Sequence, residues 1–80
     1  MRVAPPFRKV NPVIGKRGRV TGRIGPGLVG EVMISVRGGS EAFYAYPADE
    51  DSVIEAGQQV LVVDYDPPRT VWVQRWRPLM

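Results

Sequence analysis

The sequence predicts an all-β fold, a five-stranded Greek-key barrel of the OB type with one short helical turn between strands 3 and 4. Three observations lead to this prediction. The chain has 80 residues, which is enough for one small domain. Its nine glycines and eight prolines break it into short segments. In several of these segments apolar residues alternate with polar ones, which is the period of a strand with one buried face.

The first two strands are predicted on either side of a glycine-proline turn. Over residues 17–24 small and apolar residues alternate with arginine and threonine. The turn Gly25-Pro26-Gly27 follows. A second, longer alternation covers residues 28–37, in which Gly30 indicates a bulge or a sharp bend.

The third strand and the helical turn come next. Gly38-Gly39-Ser40 predicts a tight hairpin, and the aromatic segment 41–46 predicts the strand that follows it. Residues 48–59 have no strand period. An aspartate there is expected to cap a helical turn that ends at Gly57.

The fourth and fifth strands are predicted at 60–65 and 70–76, with a proline-rich turn between them. Four consecutive apolar residues in the fourth strand indicate burial on both sides or a bulge. Five strands with a helical turn after the third match the OB order, and an SH3-like barrel is the alternative. The residues expected to point inward are Val20, Val32, Ile34, Val36, Val60, Val62, Val71 and Val73.

Charge and proline divide the chain into two parts. Residues 1–14 are rich in proline and basic residues and are expected to form a flexible lead-in, whereas residues 15–77 form the barrel domain. Every charged residue in 1–23 is basic, and every charged residue in 41–66 is acidic. A basic segment of this kind can bind phosphates of nucleic acid or lipid, or can remain solvated.

Several classes of activity are excluded or disfavoured by composition. The chain has neither cysteine nor histidine, so zinc sites of the usual kind and Ser-His-Asp or Cys-His catalysis are ruled out. The acidic segment lacks the spacing of a calcium loop. No apolar run approaches the roughly 20 residues that cross a bilayer. We therefore predict no enzymatic activity, no metal and no cofactor.

Four stretches of the sequence resemble the C-terminal domain of the NfeD family of bacterial and archaeal membrane proteins. They are IGKRGRV at 14–20, FYA at 43–45, IEAGQQVLVV at 54–63 and VWV at 71–73. The resemblance implies an OB-type barrel that forms the soluble part of a membrane protein, on the cytoplasmic side. It also implies a non-catalytic interaction or assembly domain, which works with flotillin- or stomatin-like partners or with itself.

Basic and aromatic residues on outward strand positions form the candidate interaction surface. Tryptophan, tyrosine and arginine dominate protein-binding hot spots. They also bind single-stranded nucleic acid in OB-folds, where bases stack on aromatic rings, and this is the alternative function. The acid-rich second half disfavours the alternative because it repels phosphates. The candidate residues are Arg17, Arg19, Arg23, Tyr44, Tyr46, Trp72 and Trp76.

Overall fold

The structure, a computed structural model, describes residues 13–77, and five strands run through them. The strands are β1 (Arg17–Gly22), β2 (Gly30–Val36), β3 (Gly39–Pro47), β4 (Gln59–Asp66) and β5 (Thr70–Arg75). They close into a barrel in the order β1-β2-β3-β5-β4, with β4 returning to pair with β1. All neighbours are antiparallel except β3 and β5, which run parallel. The predicted fold class is confirmed.

The barrel interior is filled by small and medium aliphatic residues, because strand alternation sends every second side chain inward. All the residues predicted to point inward are buried except Val36, which is partly buried at the end of β2 and packs against the core. Val13, in the predicted lead-in, is also in the core and is 1% exposed. The rest of the predicted lead-in, up to residue 12, lies outside the described residues. The buried residues are Val13, Val20, Ile24, Val32, Ile34, Phe43, Ala45, Ile54, Val60, Val62, Val71 and Val73.

Gly30 is required where the start of β2 passes close to the end of β1. A Cβ atom at this position would lie 2.7 Å from the backbone oxygens of both Gly22 and Arg23. Real Cβ contacts are not that short, and backbone atoms cannot move aside as a flexible side chain can. The irregularity in the ladder itself lies on β1, where the register shifts between Val20 and Gly22. Only a glycine therefore allows β2 to begin this close to the end of β1.

Between β3 and β4 the chain stays extended around Ile54, and the helical turn expected there is not formed. Ile54 makes an antiparallel bridge with Ile24, and their backbone N–H groups donate to each other's carbonyl oxygens at 2.8 and 2.9 Å. Both isoleucines are fully buried. This bridge satisfies the backbone and buries Ile54 in one step, whereas a single helical turn would leave most of its backbone groups unpaired.

The apolar run in β4 contains the bulge that the sequence indicated. Val62 lies opposite Val73, but the next paired residue is Asp64, opposite Trp72. The extra residue, Val63, is 38% exposed. The bulge keeps Val62 in the core and places Asp64 beside Trp72 on the ladder.

Candidate functional site

The structure divides the seven predicted surface residues among three places. Arg17, Arg19 and Trp76 lie together on one side of the barrel. Tyr44, Tyr46 and Trp72 lie on another, and Arg23 belongs to neither group. The ring of strands explains the separation, because β3 neighbours only β2 and β5 and is therefore across the barrel from the β1–β4 pair.

The first group is built where β1 pairs with β4. Arg17 lies opposite Leu61 and Arg19 lies opposite Gln59. The backbone N–H of Trp76 donates to the carbonyl oxygen of Gln59 at 3.0 Å, which fixes the chain just after β5 beside the same strand. The guanidinium carbon of Arg17 is 4.5 Å from the centroid of the Trp76 ring. This is cation–π distance, so the arginine and the tryptophan hold each other in place.

Two further arginines extend this group. Arg75 and Arg77 line an open depression with Trp76 and Gln59, and Gln59 also lines the neighbouring depression that holds Arg17 and Arg19. Arg75 is positioned by its guanidinium, which donates to the carbonyl oxygen of Val53 at 2.9 Å. Neither depression is lined by an aspartate or a glutamate. We call this surface the arginine face; its residues are Arg17, Arg19, Gln59, Arg75, Trp76 and Arg77.

The second group lies on the outside of β3 and β5. These strands are parallel and in a register that sets Tyr46 opposite Trp72. Their rings stack, with centroids 5.6 Å apart and an angle of 29° between the planes. Tyr44 lies two residues earlier on the same side of β3 and is 60% exposed. We call Tyr44, Tyr46 and Trp72 the aromatic patch.

Acidic residues border the aromatic patch, and Arg69, which lines a depression with Tyr44, is paired with Glu41. Glu50 and Asp51 line the depression that Tyr46 and Trp72 share with the turn at residues 25–27, and no arginine or lysine lines it. Asp64 is the ladder partner of Trp72. Glu31 is the ladder partner of Tyr44. The aromatic patch is therefore acidic at its margin, whereas the arginine face is basic.

Arg23 is engaged with an acid. Its Nε lies 3.3 Å from a carboxylate oxygen of Glu55, and both side chains are mostly exposed. The other ion pair between described residues joins Arg69 to Glu41 at 3.2 Å. No carboxylate in the described part of the chain lies within ion-pair distance of Arg17 or Arg19.

The candidate residues lie on open surface of the described barrel. No polar or charged side chain within residues 13–77 is buried. The same residues include no cluster of three or more carboxylates that could hold a metal ion. No helix within residues 13–77 is long and apolar enough to cross a membrane. The fold and its surfaces define an OB-type barrel whose distinguishing features lie on its outer wall.

Comparison with known proteins places this barrel in a family. Residues 17–74 match the NfeD C-terminal domain. The chain therefore belongs to the NfeD C-terminal domain family, as the sequence resemblance indicated. A comparison with curated proteins gives no match.

Several solved structures resemble the chain along most of its length. The C-terminal domain of stomatin operon partner protein 1510-C from Pyrococcus horikoshii is 38% identical, with a TM-score of 0.60 over 82% of this chain and 91% of that one. The soluble domain of the NfeD protein YuaF from Bacillus subtilis is 31% identical, with a TM-score of 0.69 over 81% and 75%. A soluble domain of a membrane protein from Corynebacterium glutamicum, 21% identical with a TM-score of 0.60 over 79% and 90%, shares the fold.

Sequence reasoning missed Arg75, Arg77 and the acidic margin of the aromatic patch. The sequence Arg75-Trp76-Arg77 could have indicated the two arginines, because a tryptophan between two arginines at a strand end predicts an exposed, cationic surface. The acidic margin had no such signal. Glu31, Glu50 and Asp64 come from different segments, and only the closed ladder brings them to one side.

Proposed function

We propose that this chain is a non-catalytic interaction domain of a membrane-associated NfeD-like protein, and that the aromatic patch is where it binds a protein partner. One observation carries the proposal: Tyr46 and Trp72 stack on the outer wall of the barrel instead of filling its core. Tryptophan and tyrosine are enriched at the centres of protein interfaces, because they bury a large area with few rotatable bonds.

The acidic margin indicates the character of the partner surface. Glu31, Glu50, Asp51 and Asp64 border the patch, so the fitting partner presents an apolar centre with lysine or arginine around it. Complementary charge at an interface margin speeds association and rejects wrong partners more than it adds affinity. A second copy of this chain, whose arginine face is basic, is the alternative occupant.

The partner class we favour is a stomatin- or flotillin-like protein. The support is family membership, together with the description of the Pyrococcus horikoshii relative as a stomatin operon partner protein. Domains of this family follow membrane spans, which supports a position beside a membrane, and we propose the cytoplasmic side.

Lack of catalysis is part of the same proposal. Catalytic groups are positioned by packing and have their protonation tuned by burial or by close charged neighbours. The chain has no histidine or cysteine, and its described serines lie in strands or loops at the surface. These features support a binding role.

Single-stranded nucleic acid is the competing ligand, and the geometry favours it less. An OB-fold binds single strands with several exposed aromatic rings inside a basic groove. Here the arginine face has one aromatic residue, Trp76, and Arg17 lies over its ring. The three rings of the aromatic patch lie on the outside of β3 and β5, among carboxylates.

The proposal is tested by titrating the soluble domain of a stomatin-type protein into the full 80-residue chain by calorimetry. Trp72→Ala should weaken binding by about 2 kcal/mol, roughly 30-fold, as truncation of a central interface tryptophan does. Gln74→Ala, two residues along the outside of the same strand, is the matched control and should change affinity by less than about twofold. Equal binding by the Trp72→Ala variant and the native chain would reject the patch as the site.

The nucleic-acid alternative is examined with the same protein and mixed single-stranded oligonucleotides. At about 150 mM salt, where exposed charges are well screened, we expect no saturable quenching of tryptophan fluorescence. Saturable micromolar binding that survives this salt concentration would favour the alternative.

A further inference from the structure

The arginine face carries cationic charge that the described part of the protein leaves uncompensated. Four guanidinium groups belong to it, on Arg17, Arg19, Arg75 and Arg77, and all four side chains are exposed. The two ion pairs between described residues use Arg23 and Arg69, which lie elsewhere. A surface with several cations and no carboxylate among its lining residues is complementary to a polyanion.

Apolar and aromatic groups are interleaved with these arginines. Leu61, partly buried, lies between Arg17 and Gln74 on the ladder, and Met33 lines the depression beside Arg19. Trp76 is itself partly exposed. Surfaces that lie in the headgroup region of a bilayer combine arginine and tryptophan with short apolar patches. In that region the side chains contact lipid chains on one side and polar headgroups on the other.

We propose that the arginine face binds the anionic headgroups of a lipid bilayer, and so holds the barrel against the membrane in a fixed orientation. This inference concerns a different surface from the proposed partner site and does not depend on it. Guanidinium groups contact phosphate oxygens with two parallel hydrogen bonds, and clustered cations near an anionic surface add their attraction.

A lipid surface fits this face better than a nucleic-acid strand does. A strand gains affinity from bases that stack on open aromatic rings, but one face of the Trp76 ring is covered by Arg17. Headgroups need no stacking platform. Headgroup phosphates bind to cations that are spread over a broad surface, and the side of the barrel around the β1–β4 pair provides such a surface.

Docking by this face leaves the aromatic patch free. Tyr44 and Tyr46 of the patch are on β3, which lies across the barrel from β1 and β4, and Trp72 on β5 stacks on Tyr46, away from Arg17 and Arg19 on β1. Gly15, just before β1, is fixed beside the β1–β4 pair, because its N–H donates to the carbonyl oxygen of Val62 on β4 at 2.8 Å.

The test is flotation of the full chain with vesicles of phosphatidylcholine containing about 30% phosphatidylserine, compared with pure phosphatidylcholine, at low and physiological salt. We expect binding to the anionic vesicles only, weakening as salt rises. The variant R17Q/R19Q should bind them about 25-fold more weakly, since each arginine near the surface contributes about fivefold.

The matched control is R23Q/R69Q, which changes the net charge by the same amount but alters arginines already paired with carboxylates. Its binding should fall by less than about threefold. Thermal unfolding of both variants establishes that they are folded. Equal losses in the two variants would show that net charge alone matters and would overturn the proposal. Undetectable binding of the native chain to anionic vesicles would also overturn it.

Discussion

The arginine face and the aromatic patch are built from the same kinds of residue but in opposite electrostatic settings. Each contains a tryptophan of the same C-terminal segment, Trp76 in one and Trp72 in the other. Trp76 pairs with the guanidinium of Arg17, whereas Trp72 stacks on Tyr46 and has Asp64 as its ladder partner. The two tryptophans are four residues apart in sequence, yet they belong to surfaces of opposite charge.

This contrast shows how a small barrel can carry two chemically different surfaces on one core. The side chains that fill the described barrel are hydrophobic, so its polar and charged groups lie on the outer wall. Because the strands close into a ring, acidic and basic residues from different segments of the sequence come to lie on different sides of the barrel. The result is a domain with two surfaces of opposite charge on its outer wall.

The largest predicted effect concerns the hydrophobic core on which both surfaces are built. Ile34 is 1% exposed and lies in the middle of β2. Ile34→Ala removes three buried carbon atoms and should lower the free energy of unfolding by about 2–4 kcal/mol in a denaturant titration. Ser35→Ala, on the exposed side of the same strand, should change it by less than about 0.5 kcal/mol. A loss below about 0.5 kcal/mol for Ile34→Ala would mean that the buried side of β2 is misassigned.

A smaller effect distinguishes the aromatic patch from a chance contact. The Tyr46–Trp72 stack should contribute about 0.5–1.5 kcal/mol of coupling free energy beyond the area it buries. A double-mutant cycle with Tyr46→Ala and Trp72→Ala, read from unfolding free energies, measures this term. Strict additivity of the two substitutions would show that the rings are stacked without energetic consequence.

The smallest effect compares Arg17 of the arginine face with Arg23, which lies outside both surfaces. The Arg17–Trp76 contact should couple by about 0.5–1 kcal/mol. The exposed Arg23–Glu55 pair should couple by about 0.5 kcal/mol or less, and salt should reduce this further. Cycles with Arg17→Ala and Trp76→Ala, and with Arg23→Ala and Glu55→Ala, give both values. A larger coupling for Arg23–Glu55 would reverse the contrast.

Much of the fold could be read from the sequence because one face of each strand has to be apolar. The alternation around Val20 and Val71 located β1 and β5, and the apolar run in β4 indicated its bulge. Local patterns failed at Ile54, where the bridge to Ile24 replaces the expected helical turn. That bridge depends on a contact across 30 positions of sequence, so no local propensity could reveal it.

The exposure of individual residues could be predicted from the sequence, but not which of them lie together. Alternation correctly indicated that Arg17, Arg19 and Tyr44 would be exposed. It could not indicate which of them lie together, because strand order around the barrel is set by long-range pairing. The parallel pairing of β3 with β5 is what brings Tyr46 to Trp72.

The most direct measurement of the account uses the two tryptophans as reporters, one on each surface. The Trp72→Phe variant leaves Trp76 as the single tryptophan, and the Trp76→Phe variant leaves Trp72. Both variants are mixed with anionic vesicles that contain brominated lipid, which quenches nearby tryptophan fluorescence, and flotation establishes that both bind. The account predicts strong quenching of Trp76 and little quenching of Trp72. Equal quenching of both, or stronger quenching of Trp72, would contradict the assignment of the arginine face to the membrane and of the aromatic patch to a protein partner.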